Sequence, residues 1–192
     1  MKNYNEISSF IWNVCDDVLR GLFKPHEYGD VILPFTVLRR LDCTLESHKD
    51  EVYEIYEKYK GQVEDPTPII LNKINTNFFN HSKYDLTRLK SDPQNINLNF
   101  QNYIGGYSDN VVEIIENFQF DKPVQKLHKS NRLYQLIDKF TEVDLHPDVI
   151  SNRDMGIIFE ELLRKFSEMS NETSGEHYTP RDIVRLLVSF VF

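Results

Sequence analysis

Glycine and proline are scarce in this sequence, at 7 and 8 of 192 residues, and cysteine is scarcer at 2. Sandwich and barrel folds need many tight turns, so the shortage of turn formers argues against them and leaves helices as the expectation. Cys15 and Cys43 cannot build a disulfide scaffold and lack the paired spacing of a zinc site, so they read as reduced core residues. The six histidines, at 26, 48, 81, 128, 146 and 177, form no His-x-x-x-His pair, and no metal is expected. No apolar run has the length of a signal peptide or a membrane span. The expectation is therefore a soluble, cytoplasmic protein without a membrane partner.

Positive charge is also short. Lys and Arg number 22 against 30 Asp and Glu, a net charge of −8, so the chain as a whole is no electrostatic glove for DNA. Any nucleic-acid contact has to be local. The glycine loops that cradle dinucleotides or nucleoside phosphates are missing, and so is the Gly-x-Ser-x-Gly elbow of hydrolases.

Apolar residues are plentiful, at 40%, enough for a core of domain size. Ile7, Phe10, Ile11, Val14 and Val18 recur at three-and-four spacing, which predicts an amphipathic helix that Gly21 stops. A second helix is predicted from Asp30 to about Tyr59, with Leu38, Leu41 and Leu45 as its buried stripe and Pro34 bending its start. Arg39 and Arg40 beside that stripe read as a solvated face next to Asp42 and Glu46, with contact to nucleic acid or a partner subunit as the sharper alternative.

Residues 61–68 read as a linker because of Pro66 and Pro68. The Asn- and Ser-rich stretch from 72 to 97 reads as short helices and loops, with room for a small strand pair. Further helices are predicted over 109–117, capped by Ser108, and over 123–128 and 131–140. Lys122, Lys126, Lys129 and Arg132 lie at helical spacing and form the best local candidate for DNA contact, against a solvated helix face as the plainer reading. The segment 154–166 predicts a regular helix with Ile157, Ile158, Leu162 and Phe166 turned inward. Its Glu160 and Glu161 point about 100° apart on a helix and suit ion pairing better than acid–base catalysis.

Residues 167–177 read as a flexible polar loop leading to Thr179-Pro180-Arg181-Asp182, which has the capping and first-turn residues of a helix start. A helix start offers backbone N–H groups and a dipole that favour a carboxylate or phosphate. Tyr178 also fits a plain packing role there. The closing run IVRLLVSFVF, residues 183–192, is apolar nearly all round, which suggests a chain interrupted where a further domain begins.

Two blocks then resemble one family. Residues 154–188, and most specifically Ser174-Gly175-Glu176-His177-Tyr178-Thr179-Pro180-Arg181, are similar to the start of the catalytic domain of the modification (M, HsdM-type) subunit of type I restriction-modification systems. Asp30 to Leu45 with Gly106 to Leu145 resembles that family's N-terminal helical domain. The resemblance implies an all-α, multi-helix domain over 1–150 and, over 151–192, the opening of a Rossmann-like methyltransferase domain truncated soon after it begins. It implies an adenine-specific DNA methyltransferase that uses S-adenosylmethionine, with Glu176, His177, Tyr178, Thr179, Pro180 and Arg181 along one edge of the cofactor site. His177 stands where phenylalanine is common. DNA, a specificity subunit, a second M subunit and a nuclease subunit are the implied partners. No catalytic residue is expected in this chain, because the Asn/Asp-Pro-Pro-Tyr/Phe tetrapeptide that holds the flipped adenine is not among its residues. A non-catalytic helical interaction module and an acidic, DNA-mimicking regulator are the alternatives.

Overall fold

A computed structural model describes residues 2–170, and among them the structure is helical, without named strands. Ten α-helices follow in order: α1 Lys2–Val14, α2 Tyr28–Leu45, α3 Lys49–Tyr59, α4 Thr67–Ile74, α5 Leu86–Leu89, α6 Ile96–Gly105, α7 Asp109–Asn117, α8 Asp121–Lys129, α9 Leu133–Thr141 and α10 Asn152–Ser170. Residues 171–192, which include the later part of the expected loop, the Glu176–Arg181 segment and the apolar run 183–192, lie outside the described residues.

The first helical pattern is real, but its last turn is a π-helix over Cys15–Leu19. Gly21, with φ +77°, then reverses the chain, a conformation that costs glycine little. The long second helix divides. α2 ends at Leu45, a short 3₁₀ turn over Glu46–His48 intervenes, and α3 starts at Lys49. Pro34 sits well inside α2 and removes one backbone hydrogen bond without ending the helix.

The expected linker at 61–68 is shorter than its composition suggests, because α4 opens at Thr67 and Pro68 fits its first turn. The strand pair allowed for in the middle reduces to an isolated bridge between Asn80 and Tyr107. Ser108 occupies the N-cap position of α7 but makes no capping bond. Its hydroxyl instead donates to Asn110 Oδ1 at 2.7 Å and accepts from the Phe79 amide at 3.3 Å.

Phe35 is the centre of the core. Its ring lies 5.7 Å from Phe100 of α6, 5.4 Å from Phe120 before α8 and 5.4 Å from Phe140 of α9. Aromatic contacts at these spacings add to the burial of large apolar rings. α10 closes the bundle over α1 and α2. Ile158, Leu162 and Phe166 turn inward as the pattern predicts, joined by Met155, whereas Ile157 is 40% exposed. One step along a helix is 100°, so adjacent Ile157 and Ile158 cannot both face the core. Gly29 lies against Phe166, whose Cβ would stand 3.2 Å from any side chain added there. α10 also continues through Ser167–Ser170, which the sequence reading places in a loop. Arg164 pairs with Glu161 and Glu168 one turn either way and fastens that extension.

Arg39 and Arg40 are not a solvated face. Arg39 Nε donates to Val143 O at 2.8 Å, and Arg40 donates to Leu145 O, to Ile150 O at 2.8 Å and to Asn152 Oδ1 at 2.6 Å. The acidic neighbour Asp42 is turned into the core. The two guanidinium groups thus fasten the segment between α9 and α10 onto α2. Charged hydrogen bonds contribute about 1.5–3 kcal/mol each. In Arg40→Met, hydrogen exchange of the first turns of α10 should rise by about tenfold or more, while the α6 amides change far less. Trp12, the single tryptophan, packs on Phe166 at 5.8 Å and should report the same loosening by fluorescence. Equal acceleration in α6 and α10 would refute a local clamp.

Candidate functional site

The basic stripe divides into two kinds of side chain. Lys122 and Lys129 are exposed on α8. Lys126 reaches Glu27 at 3.6 Å and lies 4.1 Å above the Phe23 ring. Arg132 donates to Val18 O at 2.5 Å and Arg20 O at 2.9 Å, where the π-turn leaves carbonyls to be satisfied. Two of the four cations are therefore engaged within the fold, and two face solvent.

The most organised chemistry lies elsewhere, around Asp42. In α2 the buried positions run Val31, Phe35, Leu38, Asp42 and Leu45, so a carboxylate occupies a core position that the sequence reading gives to Leu41. Asp42 Oδ1 accepts from the hydroxyls of Tyr103 at 2.8 Å and Tyr107 at 3.1 Å, and Oδ2 accepts from the Leu86 amide at 2.7 Å. The two hydroxyls are themselves 2.7 Å apart. Lys49, 5% exposed, donates to Asn80 Oδ1 at 3.1 Å. Asn80 in turn donates to Tyr103 O at 3.0 Å. One network therefore joins α2, α3, the loop before α5, and α6.

Burial pushes the Asp42 carboxyl up to about 6, against the lowering effect of its hydrogen bonds. Burial likewise brings Lys49 down to about 8, partly offset by the Asp42 charge. Both groups are consequently charged around neutral pH. Tyr103 and Tyr107 are raised well above the ordinary tyrosine value by burial and by the Asp42 charge, so they act as donors. Cys15 is raised to about 12 by burial, so its thiol is inert at neutral pH.

Beside the network, the 79–84 loop is held irregular by several bonds. His81 N donates to Gly106 O at 2.8 Å, Ser82 N to Asn80 Oδ1 at 2.8 Å, and Ser82 Oγ to Asn102 Oδ1 at 2.7 Å. Gly106 is required there, since a Cβ would stand 2.6 Å from Ser82 Cβ and 2.7 Å from the Ser82 nitrogen. Among the described residues no group of three or more His, Cys, Asp or Glu is placed to hold a metal. No described helix is long and apolar enough to cross a membrane.

An all-helical domain with a buried polar hub is the class this fold defines. The chain belongs to the HsdM N-terminal domain family, whose profile matches residues 7–140. A second profile, N-6 DNA Methylase, matches residues 151–191. The chain is 27% identical over 195 aligned positions to the type I restriction enzyme MjaIX methylase subunit of Methanocaldococcus jannaschii, covering 95% of this chain and 35% of that protein. It is also 27% identical over 151 positions to the uncharacterized protein L511 of Acanthamoeba polyphaga mimivirus, covering 76% of this chain and 18% of that one. The chain thus spans about a third or less of the length of these relatives. No solved structure matches it.

The hub itself escaped the sequence reading, although its signal was present: an acidic residue at a buried position of an otherwise apolar stripe. Its pH dependence can be checked. A carboxyl raised in the fold keeps its proton longer than in the unfolded chain, so its stabilising contribution is complete below about 4 and is lost as pH rises through about 6. Asp42→Asn should remove that slope. Urea midpoints of the native chain and the variant, measured from pH 4 to 6.5, should therefore differ progressively, with the native chain losing relative stability on the order of 2–3 kcal/mol across the window. A constant difference over that range would show that Asp42 does not titrate there.

Proposed function

We propose that this chain is the N-terminal part of a type I restriction-modification methylase subunit that, complete, transfers a methyl group from S-adenosylmethionine to the adenine amino group of DNA. The observation that carries the reading is an order of two matches in one chain: an HsdM N-terminal domain followed, after ten residues, by the opening of an N-6 DNA Methylase domain. The helical domain, residues 1–150, serves DNA clamping and subunit assembly, and residues 151–192 begin the catalytic domain. DNA, a specificity subunit, a second M subunit and a nuclease subunit are the partners in this reading.

Glu176, His177, Tyr178, Thr179, Pro180 and Arg181 carry one edge of the cofactor site in this proposal. Tyr178 packs on the cofactor, and Thr179 with neighbouring N–H groups holds its carboxylate, as suits a helix start. The residues fit such a group by chemistry, with an aromatic face, a hydroxyl and backbone donors in sequence. S-adenosylmethionine supplies an electrophilic methyl group when bound. The group that holds the flipped adenine comes from outside these 192 residues, so the chain alone is inactive. Lys122 and Lys129 are the solvent-facing cations that contact phosphate.

Incubation of the chain with labelled S-adenosylmethionine and duplex DNA should give background counts, and labelled adenine would overturn this division of labour. The DNA contact has its own test. Lys122→Ala with Lys129→Ala should lower the salt slope of duplex binding by about 2 and leave the melting temperature unchanged. An unchanged slope, or no duplex binding by the native chain at low salt, would remove the stripe from the DNA interface.

A further inference from the structure

An open cleft of about 640 Å³ lies between α3, the 79–84 loop and α6, and neither the proposed chemistry nor the basic stripe uses it. Tyr53, Tyr56, His81, Tyr84, Leu98 and Asn102 are among its walls. The Tyr56 and His81 rings are stacked, with centroids 3.7 Å apart and planes 17° from parallel. Burial and the neighbouring Lys49 lower the basicity of His81. Leu98 is 66% exposed, the most uncovered of the large apolar side chains described.

We propose that this cleft is a docking site for an uncharged, extended segment of a partner protein, anchored by a proline or aromatic side chain against the Tyr56–His81 pair and Leu98. Three observations carry it. The first is composition: tyrosine, histidine, asparagine and an exposed leucine give rigid amphipathic area with adaptable hydrogen bonding, the mixture that recognises polypeptide. Aromatic-lined grooves take proline-rich segments for the same reason. Tyr53, Tyr56 and Tyr84 line the cleft, and a phenol hydroxyl can donate to a backbone carbonyl of a visitor.

The second observation is rigidity. Asn80, Ser82 and Asn99 are buried polar residues, 2–6% exposed; Asn80 and Ser82 bond the loop to α6 through Tyr103 O and Asn102 Oδ1, and the His81 amide bonds it to Gly106 O. A wall held this firmly loses little entropy on binding. The third is charge. Lys83 and Glu57 are the charged groups lining the cleft; Glu57 is paired with Lys60 at 2.5 Å, and the Lys83 ammonium lies over the Tyr84 ring, 4.9 Å from its centroid. A platform for stacked nucleobases comes with a basic groove for their phosphates, and here there is none. The charge balance therefore selects an uncharged segment over a nucleic-acid strand. The proposal does not depend on whether the longer protein methylates DNA.

The test is titration of the isotope-labelled chain with three probes, followed by backbone amide resonances: a blocked proline–tyrosine peptide, a blocked glycine–serine peptide and a short oligothymidine. The proline–tyrosine peptide should give saturable shifts confined to residues 53–57, 81–84 and 98–105, and the glycine–serine peptide none. Leu98→Glu should weaken that binding about tenfold or more without disturbing the fold, given its exposure. Ile114→Glu, at a 52% exposed apolar position outside the cleft lining, should leave it unchanged. No shifts at millimolar peptide, an unaltered affinity in Leu98→Glu, or stronger shifts of the same residues with oligothymidine would each overturn the proposal.

Discussion

The carboxylate of Asp42 is the constraint on which the polar half of the structure depends. A buried charge is costly unless it is paired and hydrogen-bonded, and Asp42 accepts three hydrogen bonds, from Tyr103, Tyr107 and the Leu86 amide. Each donor comes from a different place in the chain. Satisfying the one acid therefore sets the position of α6, of the turn into α7 and of the start of α5 relative to α2. The nearby Lys49 completes the arrangement by holding Asn80, whose side chain also shapes the irregular loop. Apolar packing around Phe35 supplies the driving force, but it is tolerant of small sliding. The directional bonds to Asp42 are not.

Scarcity of glycine has a structural counterpart in how chain reversals are completed. Helices commonly end on a glycine in the left-handed conformation, which satisfies the last carbonyls. Here Gly21 and Gly61 take that conformation at two reversals, and Asn75, Gln119 and Asn131 take positive φ at others. Arginine side chains serve further carbonyls: Arg132 reaches Val18 and Arg20, Arg39 reaches Val143, and Arg40 reaches Leu145 and Ile150. A guanidinium group presents five donors in a fixed fork, so it can serve two carbonyls that no local backbone bond reaches. Those long-range bonds also tie together segments more than a hundred residues apart in sequence. The cost is that basic residues are withdrawn from the surface of an already acidic chain.

The helical class, the first helix with its glycine stop and, apart from Ile157, the inward face of α10 were legible, because each rests on a periodicity that burial enforces. The family was legible from two short blocks. The break between α2 and α3 was not, since Glu46 to His48 carries neither glycine nor proline and tightens to a 3₁₀ turn without a sequence mark. The role of Arg39 and Arg40 was hidden for a different reason: their partners are carbonyls of a segment about a hundred residues away, and backbone acceptors leave no trace in sequence. Asp42 was the recoverable miss. Its spacing from Phe35, Leu38 and Leu45 places it on the buried stripe, and Tyr103 and Tyr107, four residues apart in sequence, are natural donors.

In the proposed reading an acidic helical domain meets DNA only through local positive charge. With a net charge of −8, the long-range field repels a polyanion, and counterion release from a few lysines has to overcome it. Lys126 and Arg132 are engaged with Glu27, Phe23 and backbone carbonyls, which leaves Lys122 and Lys129 as the free part of the stripe. Two phosphate contacts give a weak, salt-sensitive association. In that reading the affinity of a complete assembly for DNA comes mainly from other surfaces, and this domain's share of the clamp is to orient the duplex rather than to attract it. A domain in that position gains more from rigid attachment than from charge. The Arg39–Arg40 bonds to the segment before α10 supply such an attachment, by fixing α10, which lies within the N-6 DNA Methylase match, against the helical bundle.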